Sequence, residues 1–259
     1  MTRYFLDTTV QIERHAGAAA QRQAVDSRLV GAQHATSLQV LREWKRIVDG
    51  TSVDVLNLVR DGVDDFRELF ARLSQGWGRE AGQRLRVLAM LAGQSPAVEI
   101  PVLAARAELF LRSESIALFM AGLDEVRDGG QCGLAREVPK LQPRGRLELT
   151  TSCKKTDCDC VQPAFLEDRK VSIAATADVL ADDNSYEALA KNIRTVMGKP
   201  DHNDRKGKAC WGGHGLGGDL SIALECRADE TLLTTDRSFE VMAPALSLTV
   251  DRIAPTPGP

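Results

Sequence analysis

Four acidic residues fall in two widely separated parts of this 259-residue chain, Asp7 and Glu43 near its start and Asp219 and Asp236 near its end. Asp7 directly follows the apolar run Tyr4-Phe5-Leu6, and Asp236 follows Thr231-Leu232-Leu233-Thr234-Thr235. Both read as carboxylates at the C-terminal tips of buried parallel strands, where sites form in open α/β sheets. Carboxylates that converge on one crevice repel each other, and a divalent cation offsets that repulsion. The chemistry this offers is a Mg²⁺ or Mn²⁺ site. The competing reading gives Asp7 and Asp236 a local role only, as N-caps of the helices that follow.

The elements that must position these acids are partly readable. After Asp7 a polar segment leads into a helical stretch from Ala18 to Val30 that ends near Gly31. Thr36 or Ser37 can cap a second helix to about Val48, with Gly50 just beyond its end. On that helix Leu41, Trp44, Ile47 and Val48 share one arc, and Glu43 lies at its edge. From Val53 to about Val126 the texture is helical, and Leu56, Val59, Val63, Phe66, Phe70 and Leu73 repeat like a helix-packing seam. Gly and Pro punctuate the stretch from Asp128 to Cys160, where Arg146 to Thr150 can form a short strand. A helix follows from about Tyr186 to Met197. The end of the chain returns to α/β texture: a helix from Asp219, the strand Thr231 to Thr235, a short helix at Phe239 to Met242 and a strand near Leu246 to Val250.

Composition limits the classes. Hydrophobic residues make up 43% and charged residues 27%, as in globular proteins, and no run approaches the length of a membrane span. The expectation is a cytoplasmic protein with no membrane partner and with reduced cysteines. A formal net charge of −3 argues against holding nucleic acid by bulk electrostatics. Lys191, Arg194, Lys199, Arg205, Lys206 and Lys208 form a local basic stretch that suits a phosphate backbone or a solvated face. Cys153, Cys158 and Cys160 crowd together as thiolate ligands of a structural Zn²⁺ would. Cys132 is the first choice of fourth ligand, with Cys210, His202 or His214 as alternatives, and surface thiols are the competing reading. The loop Gly212 to Gly218 matches no nucleotide-binding pattern, and the Pro-rich tail from Ala254 to Pro259 is expected to be disordered.

The segments Tyr4-Phe5-Leu6-Asp7-Thr8-Thr9-Val10, Leu41-Arg42-Glu43-Trp44, Gly218-Asp219-Leu220-Ser221-Ile222-Ala223 and Leu233-Thr234-Thr235-Asp236-Arg237-Ser238-Phe239, in that order, resemble the PIN-domain nucleases. The resemblance covers roughly residues 1 to 50 and 215 to 250. It implies a three-layer α/β/α PIN-like domain with a central parallel sheet, assembled from 1–50 and 200–252. A mainly helical insertion over 51–199 would interrupt it, carrying the zinc segment at 128–165, with a flexible tail at 253–259. Asp7, Glu43, Asp219 and Asp236 would map onto the family's acidic quartet, with Thr8 and Thr234 as its accompanying hydroxyls. Thr9 stands where many members carry Asn, and Ser238 where many toxin-like members carry another acid.

What the resemblance implies is a Mg²⁺- or Mn²⁺-dependent endonuclease leaving a 5′-phosphate and a 3′-hydroxyl, with RNA as the expected substrate. A toxin or defence-system setting would add an antitoxin or other protein partner, and a homodimer is compatible with it. Three alternatives stay open: a nuclease acting on DNA, a non-catalytic nucleic-acid or protein-binding module of PIN-like fold, and another carboxylate enzyme such as a phosphatase.

Overall fold

A computed structural model describes residues 2–93, 95, 98–129, 137–150, 162–198 and 218–254. The chain opens with β1 (Arg3–Leu6), α1 (Thr8–Ala16), α2 (Ala19–Leu29), β2 (Gln33–Ser37) and α3 (Leu38–Trp44). A π-helical turn, Lys45–Asp49, runs without a break into α4 (Gly50–Arg60). Then come α5 (Phe66–Gly76), α6 (Ala81–Leu91), α7 (Ile100–Leu109), α8 (Ser115–Met120) and β3 (Glu125–Arg127). A small hairpin pairs β4 (Lys140–Leu141) with β5 (Leu147–Glu148), and α9 (Gln162–Glu167), α10 (Lys170–Ala181) and α11 (Glu187–Met197) follow. The last elements are α12 (Gly218–Glu225), β6 (Thr231–Thr234), α13 (Arg237–Leu246) and β7 (Thr249–Arg252).

Five strands form one sheet in the order β3-β2-β1-β6-β7, every neighbouring pair parallel. Because successive side chains of a strand point to opposite faces, Phe5 and Leu232 enter one apolar cluster while Leu6 and Leu233 enter another. Val10 of α1 and Val25 and Leu29 of α2 pack in the second cluster. Trp44, Leu220, Ile222, Phe239 and Met242, from α3, α12 and α13, join the first. The protein is thus an α/β fold with helices flanking a central parallel sheet.

Several expected elements differ. Thr8–Ala16 is helical where a polar connection was expected, because Asp7 caps it and Val10 and Ile12 are fully buried. Strand β2 lies where only a helix cap was read; Ser37 both ends the strand and caps α3. Gly50 does not stop the second helix, since its backbone is α-helical (φ −57°, ψ −42°) inside the continuous run from α3 to α4. The seam from Leu56 to Leu73 is cut in two by Gly62, whose φ of +91° ends α4, and by Asp65, which caps α5. The stretch read as helical to Val126 ends in β3, which pairs with β2 in the central sheet. Helices α9 and α10 are further additions. Among the described residues, no helix is long and apolar enough to cross a membrane.

The helices between α3 and β3 are tied to those that carry the acids. Arg84 of α6 bonds Asp54 of α4, Glu80, and the carbonyl of Arg46 in the π-helical turn. The indole of Trp44 in α3 donates to Ser115 of α8 at 3.1 Å, and Ser115 in turn donates to Asp49.

Candidate active site

The strand order reverses direction between β1 and β6: the chain builds outward through β2 and β3, then returns to the other side of β1 for β6 and β7. Such a switch leaves a crevice beyond the carboxyl ends of the two strands. The register Phe5↔Leu232, Leu6↔Leu233 brings Asp7 level with Thr234. Thr234 Oγ1, fully buried, donates to Asp7 Oδ2 at 2.7 Å and accepts the backbone N–H of Asp236 at 2.9 Å. One hydroxyl therefore links the two strand-tip acids.

Asp7 is 1% exposed. Its Oδ1 accepts the N–H of Val10 at 2.8 Å, so it is also the N-cap of α1, and Thr9 Oγ1 lies 2.9 Å from both of its oxygens. Asp236 caps α13 by accepting the N–H of Ser238 at 2.8 Å. Both acids are N-caps, and capping uses one oxygen of each carboxylate, so it is compatible with a further role for the second.

Glu43 comes from α3 and is held by Thr8 Oγ1 at 2.8 Å and, one helical turn back, by Gln39 Nε2 at 3.3 Å. Ser238 Oγ donates to Asp219 Oδ2 at 3.1 Å. Gly218, the residue before Asp219, lies so close to Glu43 that a Cβ there would collide with Glu43 Oε1. A side chain at 218 and the Glu43 carboxylate cannot occupy the same place. The absence of a side chain lets Glu43 lie against the first residue of α12.

Asp7, Glu43, Asp219 and Asp236 all line one cleft of about 380 Å³. Burial pushes Asp7 up to about 7, against the opposing pull of the Val10 N–H, Thr234 and Thr9, and the Asp236 charge adds to the rise. Asp219 is pushed up too, first by burial and then by the negative charges of Glu43, Asp236 and Asp7. The acids from the two ends of the chain thus share one electrostatic environment. Among the described residues no three His, Cys, Asp or Glu side chains form a ready-made metal-ligand group. Among the described residues, the potential ligands lining the cleft are carboxylate, hydroxyl and amide oxygens with no thiolate or imidazole, a set that fits hard divalent cations.

The opposite wall was not foreseen. Arg46, Ile47, Gly82, Gln83 and Arg86 line the same cleft, the last three from α6. No signal in the sequence connects α6 to the acids, because packing of α6 on α1 creates the proximity. Gln39 had a signal, its position four residues before Glu43 on one helix. Thr9 and Ser238, noted as departures from the family pattern, both bond site acids.

The zinc candidates Cys132, Cys153, Cys158 and Cys160, with Cys210, His202 and His214, lie outside the described residues, as do the Gly-rich loop up to Gly217, most of the basic stretch and the end of the tail. The described cysteine, Cys226, is a buried free thiol pushed up to about 12 by burial. No protein-family model, curated protein or solved structure matches the chain.

Proposed function

We propose that this chain is a Mg²⁺- or Mn²⁺-dependent phosphodiesterase of PIN-like, three-layer α/β/α design, an endonuclease for which RNA is the expected substrate. The observation that carries this reading is the meeting of Asp7, Glu43, Asp219 and Asp236 in one cleft at the strand-order switch. Hydrolysis of a phosphodiester needs an activated water and neutralisation of charge on the attacking and leaving oxygens. A bound divalent cation supplies both. Asp7, Glu43, Asp219 and Asp236 are the residues that would hold it.

The chain's own groups then have definite tasks. Thr234 and Thr9 fix the orientation of Asp7, and Thr8 and Gln39 fix Glu43, so these carboxylates are presented without a search through rotamers. Ser238 does the same for Asp219. The preference for RNA over DNA rests on the family resemblance of the four segments. Asp7→Asn and Asp236→Asn should each lower Mn²⁺-dependent cleavage of single-stranded RNA by at least about a hundredfold. A panel of RNA, single-stranded DNA and a chromogenic phosphate monoester distinguishes the substrate classes. Undiminished RNA cleavage by both variants would overturn the assignment.

A further inference from the structure

A cleft whose one wall carries four acids repels a polyanionic strand, so productive binding requires cationic groups within reach of the phosphates. Arg46 and Arg86 stand on that cleft together with the acids. Neither forms an ion pair with Asp7, Glu43, Asp219 or Asp236 among the described residues; each is held by a different carboxylate. Arg86 pairs through Nη1 with Glu13 of α1, a residue 4% exposed. Arg46 pairs through Nη2 with Glu80 at 3.1 Å, and its backbone carbonyl is held by Arg84.

An arginine has five N–H donors, and one carboxylate engages only part of that fork. Arg46 Nε is buried and has no hydrogen-bond partner, an arrangement that leaves a donor to be satisfied. The two side chains remain 38% and 43% exposed, open to an incoming ligand. Their anchors keep both guanidiniums from collapsing onto the site acids. Planar, permanently charged forks suit phosphate oxygens better than any other side chain.

We propose that Arg46 and Arg86 grip the phosphates of a single-stranded nucleic acid next to the bond presented to the four acids, making the helix-rich segment that bears Arg86 part of the substrate site. This rests on the phosphodiesterase reading of the cleft. The two arginines are specificity-determining groups: they hold the strand and leave cation binding to the carboxylates.

The test uses the full chain with Mn²⁺ and a fluorescein-labelled, hydrolysis-resistant phosphorothioate single strand, with anisotropy followed across a salt series. Arg46→Gln and Arg86→Gln should each weaken binding about tenfold, the loss of a charged hydrogen bond. Each should also flatten the slope of log K against log salt by about 0.7, the loss of one phosphate contact on a single strand. Arg86→Lys should keep the wild-type slope because it keeps the charge. Since Arg86→Gln leaves Glu13 buried and unpaired, the double variant Glu13→Gln, Arg86→Gln serves as its folded counterpart and should show the same flattened slope. Mn²⁺ affinity measured by titration calorimetry should stay at the wild-type value in all of them and fall in Asp7→Asn. Wild-type slopes in Arg46→Gln and in the double variant, with Mn²⁺ binding still lost in Asp7→Asn, would overturn the strand grip and leave the acid site standing. Mn²⁺ binding unchanged in Asp7→Asn would overturn the site itself, and the strand grip with it.

Discussion

Gly218 and Thr234 act on the acids without carrying charge themselves. Gly218→Ala adds one methyl group where Glu43 Oε1 now lies, and Ala is compatible with the first turn of a helix. The helix should therefore persist while the carboxylate is displaced. We expect Mn²⁺ affinity to fall at least about tenfold in calorimetric titration, with no matching loss of thermal stability. A residue that merely fills space would show the opposite pattern. Thr234→Val keeps shape but removes the donor to Asp7 and the acceptor for the Asp236 N–H, both in a buried setting. Urea denaturation should register a loss of about 1–3 kcal/mol. The four acids and the two threonines were visible as residues in the sequence, and their partners were visible only where they lay within one turn of a helix. Gly218 preceded an acid in plain view, but nothing along the chain indicated that Glu43 would press against it.

At the scale of elements, one buried carboxylate shared by two arginines fastens the sheet. Arg127 of β3 reaches Glu230, which is 2% exposed, with Nη1 at 2.7 Å from Oε2, and it also donates to the carbonyl of Glu225 at 2.8 Å and lies over the Phe5 ring. Arg3 of β1 pairs with the same Glu230 at 2.9 Å. One carboxylate before β6 thus fastens β1 and β3. Removing Arg127 leaves Glu230 with Arg3 as its partner but deletes a charged hydrogen bond in a buried setting, and Arg127→Ala should cost about 1.5–3 kcal/mol. The expected signature is a lower urea midpoint at unchanged m-value, with Mn²⁺ affinity intact because Arg127 does not line the acid cleft. Strands β1 and β6 were legible from Tyr4-Phe5-Leu6 and from Leu232-Leu233 between β-branched threonines, and α3 because its buried arc repeats at helical period. Strands β2 and β3 were not. Gln33-His34-Ala35-Thr36-Ser37 and Glu125-Val126-Arg127 have few apolar residues, and the sheet itself makes them strands.

Across the whole molecule, the buried acids are a source of instability that the cation of the proposed function would relieve. Asp7 binds its proton more tightly when folded, at about 7, than at its ordinary value of 3.8. Its contribution to stability is therefore full below 3.8 and is lost as pH rises through about 7. Asp219 shifts in the same direction. Half-buried His15, pushed down to about 4 by desolvation, works the other way, costing stability as pH falls below 6.5. Comparing wild type with Asp7→Asn cancels the histidine. In metal-free buffer the variant should gain melting temperature relative to wild type as pH is raised through 7, and Mn²⁺ should raise the melting temperature of the wild type more above that pH than at about pH 5. A difference between the two proteins that stays constant with pH would contradict the buried-acid account. By itself the sequence determined the α/β class, the two strands that lead to Asp7 and Asp236, and four acids in a fixed order, because these follow from apolar runs and neighbouring residues. Only the tertiary structure decided that the acids share one cleft, that Gly218 makes room for Glu43, and that two arginines face them. Those relations depend on which strand lies beside β1 and which helix packs on α1, and such contacts between distant parts of a chain leave no periodic trace along it.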